Sequence, residues 1–132
     1  MSRFVIDPPT LLQLARGQDH VSPTHRLVAP NAVRSQALNQ LLDQVREGEL
    51  TEDAALALHE RITHVKIRLL GDRVSRRTAW EIARKSGGTI FDAEYIAVTK
   101  LQADALVTND SNLTQMAANI VPLASLTDLF SD

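Results

Sequence analysis

The strongest constraint on the fold of this chain is the way its short apolar runs end. RFVI, residues 3 to 6, suits a buried strand, and Asp7-Pro8-Pro9 stops it. Proline donates nothing to a strand ladder and fits the first turn of a helix, so the chain is expected to leave a sheet and enter a helix here. That helix carries Leu11, Leu12, Leu14 and Ala15 and stops near Gly17, before the polar loop GQDHVSPTHR. The alternation then repeats. Leu27 to Ala29 reads as a second strand, and from Asn31 to about Glu47 the residues Val33, Ala37, Leu41 and Val45 recur at helical spacing, with Leu38 and Leu42 widening the stripe. Thr51 caps a further helix with Leu58, Ile62 and Val65 on its buried edge. Lys66 to Leu70 is extended, Ser75 caps a helix running through Trp80 and Ile82, and Gly87-Gly88 ends it.

Thr89 and Asp92 have the spacing of a capping box, ahead of a helix that buries Ala93, Ile96, Ala97 and Leu101. Ala105 to Val107 is a compact strand, and Asp110 or Ser111 caps a helix to about Ala118. Ile120 to Leu123 reads as a last strand, and Ser125 to Phe130 as a closing turn. Strands alternating with helices predict an α/β fold whose short parallel sheet is covered on both faces. With 132 residues, 44% of them hydrophobic, the chain suits a single domain spanning residues 1–132.

Composition narrows the chemistry. There are no cysteines, so disulfides and thiolate metal sites are excluded and a metal would be held by oxygen or imidazole, which favours magnesium or manganese. No apolar run forms a signal peptide or approaches the roughly 20 residues of a membrane span, so a soluble cytoplasmic protein is expected. With a net charge of −2, a polyanion would have to be bound by a local patch. The segment from Lys66 to Lys85 supplies one through Lys66, Arg68, Arg73, Arg76, Arg77, Arg84 and Lys85, opposed only by Asp72 and Glu81. The same run reads equally as a solvated helix face.

Three carboxylates stand at positions suited to chemistry: Asp7 after the first strand, Asp92 in the first turn of a helix, and Asp110 after the strand ALV. Each also serves as a helix cap or capping-box member. In an open α/β sheet, however, ligands bind in the crevice at the carboxyl ends of the strands, and Asp7 and Asp110 both fall there. Clustered carboxylates repel one another unless a cation lies between them, and carboxylate with water is the ligand set magnesium and manganese prefer. Such a site points to phosphodiester hydrolysis by metal-activated water.

The elements VID, VAPNAVRSQALNQL, FDAEYIAVTKLQADALVTND and the closing IVPL, in this order through nearly the whole chain, resemble a PIN domain. The resemblance is closest to the toxin ribonucleases of bacterial VapBC toxin–antitoxin pairs. It implies a three-layer α/β/α fold, acids binding Mg2+ or Mn2+, and endonucleolytic cleavage of RNA. By position it makes Asp7, Asp92 and Asp110 the metal-binding and catalytic acids, with Thr108 and Asn112 supporting the site. It further implies a small antitoxin partner and a homodimer. RNA would be held by part of the basic segment, including Arg68, Arg73, Arg76 and Arg77.

Two positions depart from the family pattern. Where the second helix normally carries a metal-binding glutamate, this chain has Gln36, which keeps a ligating carbonyl and loses the charge. Pro8-Pro9 replaces residues that are usually small and hydroxylated. Neither Glu94, on a different helix face from Asp92, nor Asp43, about two turns beyond Gln36, substitutes for the missing acid. Gln36 therefore leaves two readings open, a ribonuclease with three acids or an impaired module that binds RNA or protein. Tyr95 reads as packing. The histidines His20, His25, His59 and His64 lack the spacing of a ligand pair and are expected to face solvent.

Overall fold

The computed structural model describes residues 1–132 and contains five strands and six α-helices, closed by a 3-10 turn. In chain order these are β1 (Ser2–Ile6), α1 (Pro8–Arg16), β2 (His25–Pro30), α2 (Val33–Arg46), α3 (Glu52–Thr63), β3 (Arg68–Leu70), α4 (Arg73–Ser86), α5 (Ile90–Gln102), β4 (Ala105–Val107), α6 (Ser111–Ala117) and β5 (Leu123–Ala124). All four strand pairings are parallel, in the order β3-β2-β1-β4-β5. The fold is α/β and PIN-like.

That order carries a consequence for function. The chain winds outward from β1 through β2 to β3, then returns to place β4 on the other side of β1. Because crossovers between parallel strands are right-handed, this reversal sends the later helices to the opposite face of the sheet. Accordingly α1, α2 and α3 pack on one another, while α5 packs against α4 and α6. The reversal point lies between β1 and β4, and the crevice above their carboxyl ends is where such sheets bind ligands.

The core is one cluster of 29 buried residues. Val5, Ile6, Val28, Leu106 and Val107 from the central strands meet Leu11, Val33 and Leu41 from the first helical layer and Ile96 and Val98 from the second. α5 is the helix most enclosed by its neighbours, with Ala93 and every residue from Tyr95 to Thr99 buried.

Several local expectations shift. β2 begins at His25, two residues before the expected Leu27, and β5 covers Leu123–Ala124, sharing only Leu123 with the expected Ile120 to Leu123. α4 is capped by Asp72. Ser75 takes the third helical position and returns its hydroxyl to the Asp72 backbone, because an acid can accept from the helix amides as well as serine can. Leu38 and Leu42 are exposed, since α2 packs on helices along only one narrow edge, and Leu101 and Trp80 also face solvent. His25 is buried rather than solvent-facing. Its ring stands edge-on to Phe4 with centroids 4.9 Å apart, and Nε2 bonds the Ser131 carbonyl at 2.6 Å.

Candidate active site

Four helix N-termini converge on the crevice at the reversal point. Asp7 is the N-cap of α1 and Asp110 the N-cap of α6, Asp92 lies in the first turn of α5, and Gln36 is the fourth residue of α2. These helix starts present backbone N–H groups and the positive ends of their dipoles, a setting that tolerates concentrated negative charge. Asp7, Gln36, Asp92, Tyr95 and Asp110 line one open cleft of about 430 Å³, together with Ser35, Asn39, Gln40 and Phe91. No lysine, arginine or histidine is among its lining residues.

Asp7 is the fixed centre of this arrangement. The residue is 1% exposed, deep enough that both carboxylate oxygens need donors. Oδ1 accepts from the Thr10 backbone N–H at 3.0 Å, which is the capping bond, and from the Thr10 hydroxyl at 2.5 Å. Oδ2 accepts from the Thr108 hydroxyl at 2.5 Å, and that hydroxyl in turn accepts from the Asp110 backbone N–H at 3.0 Å. Capping and site-building are thus the same geometry, with Oδ1 closing the helix and Oδ2 tied to the strand end beyond β4, in a residue that lines the cleft. Pro8 and Pro9 occupy the first two helical positions, where the missing N–H groups would have had no intrahelical partner.

The electrostatics follow from this crowding. Burial pushes the Asp7 carboxyl above its ordinary value against the pull of the Thr10 and Thr108 bonds, and the Asp110 charge pushes the same way. Asp92 is also raised, first by burial and then by the Asp110 and Asp7 charges. Thr89 Oγ1 accepts from the Asp92 backbone N–H at 3.1 Å, while no reciprocal bond engages the Asp92 carboxylate, which remains open to the cleft. Tyr95 is raised by burial and by the surrounding acids, so its hydroxyl stays a donor, and it donates to Gln36 Oε1.

The residues singled out from the sequence separate in space. Asp7, Asp92, Asp110 and Gln36 share the cleft; Thr108 bonds Asp7, and Asn112 gives its backbone N–H to Asp110 Oδ1 at 2.9 Å. Arg68 does not approach them. It lies on β3 with Lys66 beside a different cavity, while Arg73, Arg76 and Arg77 lie exposed along α4. Thr10 was not singled out, although its place three residues after an N-cap acid is the signal that would have found it. Glu94 and Asp43 do not line the cleft.

The donor set is all oxygen, and it fits a hard cation better than a softer one. The Thr10 and Thr108 bonds leave Asp7 Oδ2 one free acceptor site, and the Asp92 carboxylate is open. No three acidic or imidazole side chains stand close enough to hold an ion by themselves. That arrangement suits an ion that keeps much of its water and takes one or two carboxylates directly, as magnesium does.

Comparison with known proteins agrees with the fold. The crystal structure of PAE2754 from Pyrobaculum aerophilum superposes with a TM-score of 0.70 over 98% of this chain and 94% of that one, at 20% sequence identity. No curated protein matches the chain. The model of the PIN domain family matches residues 5–119, from the middle of β1 through α6, and so includes the whole acidic cleft. The chain belongs to the PIN domain family.

Proposed function

We propose that this protein is a metal-dependent endoribonuclease of the type found in VapBC toxin pairs. The observation that carries the reading is the meeting of Asp7, Asp92 and Asp110 in one cleft without a compensating cation, with Asp7 and Asp92 raised by burial and by neighbouring acidic charge. PIN domains are typically nucleases that use divalent metals. In this reading Asp7, Asp92 and Asp110 would hold Mg2+ or Mn2+, one or two of them directly and the rest through its water, and the ion when bound would polarise a phosphoryl oxygen and lower the pKa of a water molecule. Thr10 and Thr108 orient Asp7, and the Thr108 hydroxyl links Asp7 Oδ2 to the Asp110 backbone N–H at the start of α6.

The test uses purified protein, a structured RNA and added Mn2+ or Mg2+. Cleavage that is abolished by chelation and by Asp7→Asn supports the reading; absence of cleavage, or its survival under both changes, overturns it. The toxin assignment further calls for a small antitoxin that covers the cleft and for a homodimer. Co-purification of a short second chain from the native source is the observation expected.

One finding favours a second reading. In the family register Gln36 stands where a glutamate would ligate metal, and its carbonyl oxygen is taken by the Tyr95 hydroxyl. On that reading the domain binds RNA or a protein partner with a weakened metal site. Mn2+ affinity separates the two, since the ribonuclease needs measurable binding by the wild-type chain.

A further inference from the structure

The basic segment read from the sequence is divided by the fold, and one part of it builds a second cavity. This cavity of about 530 Å³ lies beside the amino-terminal ends of β1 and β2 and the start of β3, opposite the edge that carries Asp7. Its rim carries Arg3, Arg26, Lys66 and Arg68, and no carboxylate lines it. β1 and β2 pair with Arg3 opposite Arg26, and β2 and β3 pair with Val28 opposite Arg68. In a parallel ladder, paired residues and residues two apart on one strand share a face, so the three arginines project from the same side of three adjacent strands, about 5 Å apart per strand.

Such a concentration of cations is unfavourable without an anion, and none of the four pairs with a carboxylate; Asp132, beside the lining residues Ser22 and His25, is held by the Ser22 and Thr24 hydroxyls. The structure's one side-chain ion pair joins His64 to Glu60 elsewhere. Asp104, just before β4, spends Oδ2 on the Arg3 backbone N–H at 2.7 Å and makes no ion pair with the guanidinium. Arg26 is preorganised, since its Nη1 donates to the Pro23 carbonyl at 2.9 Å and the His25 carbonyl at 3.3 Å, which leaves Nη2 available for an anion. His25 also lines the cavity, and its buried Nδ1 has no hydrogen-bond partner.

We propose that this cavity is a nucleotide-phosphate site, distinct from the acidic cleft. The arginines take the phosphate, as planar guanidinium groups do by paired donation, and the apolar floor that includes Val21 and Val65 takes the sugar and base. Inorganic phosphate alone leaves that floor unused. The five residues of β1 separate the two sites by about 15 Å, so they engage different phosphates. The ligand is a free nucleotide or the phosphate-bearing end of an RNA strand, and the chemistry of the contact is the same.

The test is direct binding by calorimetry in the presence of chelator, so that its outcome is independent of whether the acidic cleft cuts RNA. The probes are adenosine monophosphate, adenosine, inorganic phosphate, and an oligoribonucleotide with or without a terminal phosphate. The expected result is that adenosine monophosphate or the phosphorylated oligonucleotide binds more tightly than its unphosphorylated counterpart. Arg26→Gln with Arg68→Gln should weaken that binding by about tenfold or more. Because Arg26 also ties the β2 entry, Lys66→Glu with Arg68→Glu is the second variant, which reverses charge on exposed side chains alone. Competition by adenosine monophosphate marks a free-nucleotide site, and its failure to compete marks a strand end; both outcomes uphold the proposal. Equal binding with and without phosphate, or binding unchanged in both variants, overturns it.

Discussion

Across the cleft, the Tyr95 hydroxyl of α5 donates a hydrogen bond to Gln36 Oε1 of α2 and so joins the two helical layers over the carboxyl edge of the sheet. Gln36 accepts this bond without adding charge to a cleft that already holds three acids. Gln36→Glu would let the same hydroxyl donate to a carboxylate and bring a fourth negative charge. We expect Mn2+ to bind more tightly to that variant and RNA cleavage to quicken, measured by metal titration and by initial rates. Unchanged metal affinity and unchanged rate would place Gln36 outside the site. Tyr95→Phe removes the bond and should cost about 1 kcal/mol in denaturant unfolding, because water can reach half-buried Gln36 and replace the missing donor.

The raised carboxyls set a pH dependence whose sign is fixed. Asp7 and Asp92 hold protons more tightly folded than unfolded, so their contribution to stability is fully present below the ordinary carboxylate value of 3.8 and is lost as pH rises through their raised folded values. At neutral pH the metal-free protein therefore carries an electrostatic penalty. Asp92→Asn should raise the metal-free melting temperature, and Mn2+ should raise that of the wild type more than that of the variant. Calorimetric melts with chelator and with Mn2+ check both. A wild type that gains nothing from Mn2+ would show that the acids do not act together on a cation.

Much of the fold and part of the site were legible in the sequence, and the misses have physical causes. Short apolar runs closed by Asp7-Pro8 and by Thr108 to Asp110 mark strand ends because proline and capping residues act locally. The convergence of Asp7 and Asp110 follows from strand order, and a chain alternating strands with helices allows few orders. The Tyr95–Gln36 bond was not legible, because helical spacing assigns a residue to a face and does not say which first turn lies opposite it. His25 was misplaced for a related reason. A loop-like stretch reads as solvated, whereas its ring is covered by Phe4 and bonded to Ser131, 106 residues away. The basic run looked continuous because sequence distance is short from Lys66 to Arg77, but β3 turns Arg68 toward Arg26 and α4 carries Arg73 onward separately.

For α4, the prediction concerns RNA held by charge. Arg73, Arg76 and Arg77 are exposed and unpaired, so each is free to meet a phosphate. Replacing all three with glutamine should weaken RNA binding. It should also flatten the dependence of log K on log salt by about 0.7 for each single-strand phosphate that is no longer neutralised. Fluorescence anisotropy across a salt series, with Asp7→Asn to prevent cutting, gives the slope. A slope that does not change assigns these arginines to a solvated face.

Thr108 provides the sharpest test of how Asp7 is tuned. Its hydroxyl donates to Asp7 Oδ2 and, with Thr10, holds the carboxyl down against burial. Thr108→Val keeps the shape and removes the donor, so the Asp7 value must rise further. If ionised Asp7 is required for cleavage, the acid limb of the pH–rate profile moves to higher pH, while the rate well above that limb changes much less. Thr10→Val should move the limb in the same direction, with an added loss of stability because Thr10 also bonds the Val107 carbonyl at 3.1 Å. A profile whose acid limb stays in place in both variants would mean that the titration of Asp7 does not control the reaction.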